Sequence, residues 1–78
     1  MNRGLPLKQS TSIARAAYDA RARTLQIEFR PGRAAHRGGV YEYLAVPAKV
    51  VRDFLQADSL GRFVNWRIKP HYRHRRVA

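Results

Sequence analysis

The sequence predicts an α+β domain in which a three-stranded antiparallel β-meander is followed by two short helices packed on one face of the sheet, in the order β-β-β-α-α. Three observations support this prediction. Residues 24–30 alternate apolar and polar side chains, which is typical of a strand with one buried face. Residues 38–46 place two glycines before a β-forming run, and Pro47 ends that run because proline does not suit a sheet interior. Residues 48–57 carry an apolar stripe at helical spacing.

At 78 residues, the chain has the length of one small domain. We expect residues 1–11 to be a flexible N-terminal arm, residues 12–72 to form the folded domain, and residues 73–78 to be a basic C-terminal tail. The chain has no cysteine, which excludes disulfides and zinc–thiolate sites. No apolar run approaches the roughly 18 residues of a membrane span, and no signal-peptide core is present. We therefore expect a cytoplasmic protein with no membrane partner.

The first two predicted strands differ in clarity. Residues 12–18 form a weak strand, because alanine is a poor strand former, and we expect Ala14, Ala16 and Tyr18 to point inward. Residues 24–30 are clearer: the side chains of Leu25, Ile27 and Phe29 should share one buried face. Residues 31–39 have turn chemistry at both ends and predict a long hairpin loop.

Two tyrosines lie close together in the third predicted strand. Tyr41 and Tyr43 are two residues apart, so both rings point to the same face of the sheet. The rings could form a platform on which nucleic-acid bases stack, or they could belong to the core. Glu42 between them has a charge that requires water, so the tyrosine face is the better candidate for burial. We favour the core interpretation.

Two helices are predicted after Pro47. Val50, Val51, Phe54 and Leu55 form the apolar stripe of the first helix. A second, short helix follows, in which the apolar residues Leu60, Phe63 and Val64 share a face and Gly61 costs up to about 1 kcal/mol relative to alanine.

Ser59 and Asn65 flank the second helix. They could line a ligand-binding corner, or they could cap the orphan backbone groups of the helix at its start and near its end. We favour capping.

An ordered set of short motifs in this chain resembles the KTSC domain. The set covers about residues 12–72 and consists of Ser12-Ile13, Tyr18-Asp19, Leu25-x-Ile27-x-Phe29, Tyr41-x-Tyr43, Val46-Pro47-x-x-Val50, Leu55, Ser59-x-Gly61-x-Phe63-x-Asn65, Ile68 and Tyr72. The family is named for its occurrence at the C-terminus of some lysyl-tRNA synthetases, and it also occurs as a stand-alone bacterial protein. The resemblance implies a domain for which RNA binding is proposed by association with the synthetase. The chain departs from the family in a longer, more basic loop over residues 31–38.

The charge of the chain is strongly positive. Sixteen Lys and Arg residues against five Asp and Glu residues give a formal net charge of +11. Such a field attracts polyanions, above all nucleic acid. The alternative is compositional bias, because arginine and alanine are both plentiful, as in the products of a GC-rich genome.

The C-terminal segment is the most suggestive feature. It has six cations and no acid between Ser59 and Ala78, and Trp66 and Tyr72 lie among them. For Trp66 itself we expect packing against the core. The leading hypothesis is a non-catalytic nucleic-acid-binding module that uses no cofactor, with RNA favoured over DNA. The predicted contact residues are Arg62, Arg67, Lys69, Arg73, Arg75 and Arg76, extended by Arg33 and Arg37 of the loop.

Two other classes of function are weighed against this hypothesis. The chain could be a protein-interaction module that docks on a larger protein, or it could self-associate through an open sheet edge as a weak homodimer instead of remaining a monomer. An enzyme is disfavoured, because no nucleophile motif surrounds any serine. The only histidines are His36, His71 and His74. A metal site requires three or four ligands, and the chain has no thiol to complete such a set. We predict no catalytic residue and no metal site.

Overall fold

The computed structural model describes residues 3–32 and 38–78 and confirms the α+β class. The described part of the chain forms one antiparallel sheet of five strands in the order β1-β2-β3-β4-β5, with the helical segment between the last two strands. The elements are β1 Arg3–Gly4, β2 Ile13–Asp19, β3 Thr24–Phe29, β4 Gly39–Tyr43, α1 Ala48–Gln56, α2 Leu60–Phe63 and β5 His74–Arg76. Helix α2 continues directly into a π-helical turn, Val64–Ile68.

The predicted three-stranded meander is present as β2, β3 and β4, but the two chain ends are not free as expected. Strand β1 pairs with β2 on one side of the meander, and β5 pairs with β4 on the other. These edge strands contain two and three residues, too few to show an alternating pattern. Their backbone groups satisfy N–H and C=O groups that β2 and β4 would otherwise leave unpaired.

The rest of the N-terminal segment also contacts the domain. Leu5 and Leu7 are half-buried against the core. The Lys8 Nζ donates to the carbonyls of Gln56 and Ala57 at 3.2 and 3.3 Å, at the end of α1 where carbonyls lack intrahelical partners. The described start of the segment expected to be a flexible arm, residues 3–8, is therefore attached to the domain.

The core lies between one face of the sheet and the helical segment. Leu25, Ile27 and Phe29 are all buried, as predicted. Strand β4 aligns Tyr43 with Leu25 and Tyr41 with Ile27, so both tyrosines share this inner face.

A register irregularity between Ile13 and Arg15 interrupts the alternation of side chains along β2. The prediction that Ala14, Ala16 and Tyr18 all point inward is therefore only partly correct. Ile13 and Ala16 are buried, whereas Ala14 is only half-buried. Tyr18 is half-buried, and its hydroxyl donates to the Val46 carbonyl at 2.6 Å.

Helix α2 and the π-helical turn are held against the sheet by three buried side chains, Leu60, Val64 and Ile68. The Ser59 Oγ caps α2 by accepting from the Arg62 N–H at 3.3 Å. A Cβ built at Gly61 would lie 3.0 Å from the Ser12 Oγ. The glycine that weakens the helix thus allows it to approach the chain at the start of β2.

The hairpin loop runs over residues 30–38, one position earlier than the predicted 31–39. Gly39 already belongs to β4, and Gly38 is buried with a φ of 80°. A Cβ at Gly38 would lie 3.0 Å from the Pro31 backbone nitrogen, which shows that the two ends of the loop are in contact.

Candidate nucleic-acid interface

The tyrosine pair is part of the sheet's packed face. Tyr43 is 2% exposed, and burial raises the pKa of its hydroxyl to about 12. Tyr41 is half-buried, and its ring contacts those of Phe29 and His74. A base cannot stack on a ring that protein atoms already cover, so this pair does not offer an open platform.

Two cations of the C-terminal segment lie over two neighbouring rings of the sheet. The Lys69 Nζ lies 5.3 Å from the Phe29 ring centroid, and the Arg76 guanidinium carbon lies 5.9 Å from the Tyr41 centroid. The two rings touch edge to face with centroids 5.7 Å apart. We call Lys69, Arg76, Phe29 and Tyr41 the cation–ring cluster. Because ring faces attract cations, the rings position both charges on one side of the sheet.

Gly39 makes room for one of these cations. A Cβ at this position would lie 3.1 Å from the Arg76 Nε, and the φ of 115° is one that other residues rarely adopt. The Arg76 Nε also donates to the Ala78 carbonyl at 3.0 Å. The guanidinium is therefore oriented by backbone groups as well as by the Tyr41 ring.

The helical segment places an aromatic ring in solvent. Trp66 is 75% exposed, contrary to the expectation that it would pack against the core. The reason is its position two residues from both Val64 and Ile68, which are fully buried. Residues four apart lie on one face of a helix and those two apart do not, so burial of this pair turns Trp66 outward.

Trp66 borders a shallow depression on the protein surface. The depression is lined by Ala57, Asp58, Ser59, Arg62, Phe63 and Trp66. Arg62 is exposed and four residues before Trp66, so its charge lies on the same side of the helical segment.

Two of the six predicted contact residues in the C-terminal segment, Arg67 and Arg75, form ion pairs. The Arg75 Nε lies 2.8 Å from the Glu42 Oε1 on the outer face of the sheet, where the Arg15 Nε also pairs with the Glu28 Oε1 at 3.2 Å. Arg67 lies 3.9 Å from an Asp53 oxygen. The six cations therefore do not form one continuous patch. In the described part of the chain, no ion pair involves Arg62, Lys69, Arg73 or Arg76.

The remaining candidate residues do not belong to the cation–ring cluster or to the depression beside Trp66. Arg33 and Arg37 lie outside the described residues. Asn65 is exposed within the π-helical turn, so it does not lie at the end of the helical segment. The ring of His74 lies 5.7 Å from that of Tyr43.

Within residues 3–32 and 38–78, no group of three or more His, Asp or Glu side chains could hold a metal ion. None of the described helices has the length and apolarity needed to cross a membrane.

The described residues form a small α+β domain. The family model of the KTSC domain matches residues 9–72, and the chain belongs to that family.

Relatives span nearly the whole chain. An uncharacterized protein from Stutzerimonas stutzeri is 43% identical over 70 residues, covering 88% of this chain and 90% of the relative. A protein from Tsukamurella paurometabola is 38% identical over 65 residues, covering 83% of this chain and 88% of the relative. The crystal structure of a KTSC domain protein from Yersinia pestis superposes with a TM-score of 0.84 at 32% identity, covering both chains completely.

Proposed function

We propose that this chain is a non-catalytic nucleic-acid-binding module whose ligand is RNA rather than DNA. The observation that carries the proposal is the cation–ring cluster, in which Lys69 and Arg76 each lie over a ring on the same side of the sheet. The preference for RNA rests on the resemblance to a domain found fused to tRNA synthetases. The cytoplasmic location predicted from the sequence is part of the same proposal.

The distribution of acids supports this choice of surface. Glu28 and Glu42 point to the outer face of the sheet, and each already has an arginine partner. Side chains alternate between the two faces of a strand, so these carboxylates lie on the opposite face from the Phe29 and Tyr41 rings. A phosphate approaching Lys69 and Arg76 therefore meets two cations with no carboxylate of the sheet beside them.

The two cations suit phosphate in different ways. The guanidinium of Arg76 presents a planar fork that can bind two phosphate oxygens, whereas Lys69 acts as a compact point charge. Neither contact depends on base identity. The surface should therefore bind many sequences with similar affinity, and the affinity should fall as salt rises.

A salt titration with charge-matched variants tests the proposal. We would measure the affinity of the parent and of the double variant Lys69→Gln/Arg76→Gln for a labelled mixed-sequence RNA at several salt concentrations. Each lost phosphate contact should flatten the log–log salt dependence by about 0.7 on single strands, so the double variant should lose about 1.4. Its affinity should fall for all sequences alike.

Arg15→Gln/Arg21→Gln is the matched control. It removes the same two charges, but Arg15 lies on the outer face of the sheet and Arg21 in the turn after β2. The control should keep the slope of the parent. If both double variants flattened the slope equally, binding would depend on net charge alone and the cluster would have no special part in it.

Docking on another protein is the second function to separate from this one. The sheet edges do not favour it, because β1 and β5 are very short and β5 carries Arg75 and Arg76. Short, charged edge strands discourage pairing with another chain. Binding of a protein partner that persists at high salt while RNA binding is absent would replace the present proposal.

A further inference from the structure

We infer that the RNA ligand is single-stranded and that one of its unpaired bases stacks on Trp66. This inference rests on the proposed function and adds the class of RNA and a second contact site. It starts from the exposed fraction of the Trp66 side chain, 75%, in a domain that has no other tryptophan. Among the described residues, the only other large apolar side chain so exposed is Val77 at 44%.

The surroundings of Trp66 match a nucleotide. The indole offers a flat π-face, which every base can stack on. Arg62, four residues earlier, supplies a cation for the adjoining phosphate. Asp58 and Ser59 line the same depression and bring a carboxylate and a hydroxyl. These oxygens can accept hydrogen bonds from the amino and imino groups of a base edge, as is common in single-strand recognition.

The helical geometry supports a binding role for this position. Trp66 lies in the middle of the π-helical turn Val64–Ile68. Such turns are rare, and they occur frequently at functional sites. Here the turn keeps Val64 and Ile68 in the core while holding the indole in solvent.

A duplex cannot use this contact. Bases in A-form RNA are stacked on one another, and the deep, narrow major groove excludes side chains from their edges. Phosphate contacts to Lys69 and Arg76 remain open to a duplex, because they require only the backbone. Trp66 should therefore contribute to the affinity for single strands and not to that for duplexes.

The fluorescence of Trp66 tests the inference directly, because it is the sole tryptophan. We would titrate the parent with a mixed-sequence single-stranded RNA and with a duplex of the same length at low salt, following anisotropy of the labelled RNA and indole emission in parallel. Saturable quenching by the single strand, with none by the duplex at equal occupancy, is the expected result.

Three variants separate stacking from other contacts. Trp66→Ala should weaken single-strand binding by about 5- to 150-fold and leave duplex binding unchanged. Trp66→Tyr keeps a π-face and should retain most of the affinity, whereas Trp66→Leu keeps apolar surface without a π-face and should behave like the alanine variant. Because the side chain is 75% exposed, all three should melt at the temperature of the parent.

The outcomes distinguish this inference from the proposed function. If the parent binds single strands and duplexes equally and Trp66→Ala changes neither, the stacking inference is wrong while nucleic-acid binding stands. If Trp66→Leu binds as well as the parent, the contact is apolar docking and not base stacking, which also overturns the inference. If the parent binds neither RNA at low salt, the proposed function fails and the inference fails with it.

Discussion

Replacing Tyr43 by alanine tests whether the tyrosine pair stabilises the core or binds the ligand. The side chain is 2% exposed, aligned with Leu25 on β3, and its ring lies 5.7 Å from that of His74. Truncating a buried aromatic residue to alanine costs about 3–5 kcal/mol, because transfer energy is lost and a cavity is left. A domain of 78 residues has a total stability of about 4–12 kcal/mol. Tyr43→Ala should therefore remove a large part of it.

Two further variants make this prediction specific. Tyr41 is only half-buried, so Tyr41→Ala should cost about half as much as Tyr43→Ala. Tyr43→Phe keeps the ring and should cost less than about 1 kcal/mol near neutral pH. Burial raises the pKa of Tyr43 from 10.0 to about 12. The free energy of unfolding of the parent should therefore fall as the pH rises from 10 towards 12, because the unfolded state loses this proton first. Tyr43→Phe should lack that part of the alkaline loss.

Urea unfolding followed by far-ultraviolet circular dichroism is the appropriate assay. Indole fluorescence would respond weakly, because Trp66 is already 75% exposed in the folded state. If Tyr43→Ala unfolded at the urea concentration of the parent while its RNA affinity disappeared, the core interpretation would be wrong. The tyrosines would then have to be ligand contacts.

Three smaller predictions can be checked by equilibrium or thermal unfolding. Hydrogen bonding, chiefly from the Ala22 N–H, lowers the pKa of Asp19 from 3.8, so the parent should lose stability as pH falls below about 4 and Asp19→Asn should lose less. Gly61→Ala should destabilise the parent by about 1 kcal/mol but stabilise a Ser12→Gly variant, where the crowding is absent; stabilisation in both backgrounds would contradict this. Gly38→Ala should cost about 1–2 kcal/mol, whereas Gly32→Ala, whose Cβ meets nothing within 4 Å, should be nearly neutral.

The elements with strong local patterns could be predicted from sequence. The alternation of Leu25, Ile27 and Phe29 fixes the buried face of β3, and antiparallel pairing then places Tyr43 on that face. The apolar stripe of α1 has Val51 and Phe54 at its buried centre, as its spacing indicates. In these segments, local periodicity and tertiary packing agree.

The edge strands and the site depend on contacts between distant segments. The sequence His74–Arg76 has no strand pattern of its own. It forms a strand because it pairs with the edge of β4. The pairing of Arg75 with Glu42 follows from that register and places one predicted contact residue in an ion pair on the outer face of the sheet. Similarly, the exposure of Trp66 depends on which neighbouring residues the core buries.

The salt dependence of RNA affinity reports how many phosphates the cations of the C-terminal segment contact. Four cations of the C-terminal segment have no ion-pair partner among the described residues, namely Arg62, Lys69, Arg73 and Arg76. If each contacts one phosphate of a single strand, the log–log slope should be about −2.8, which corresponds to a loss of about 50-fold in affinity between 50 and 200 mM salt. We would measure this with the purified parent chain and a labelled mixed-sequence single-stranded RNA. A fall of that size supports nucleic-acid binding through these residues, whereas absence of binding at 50 mM, or an affinity that does not change with salt, contradicts it.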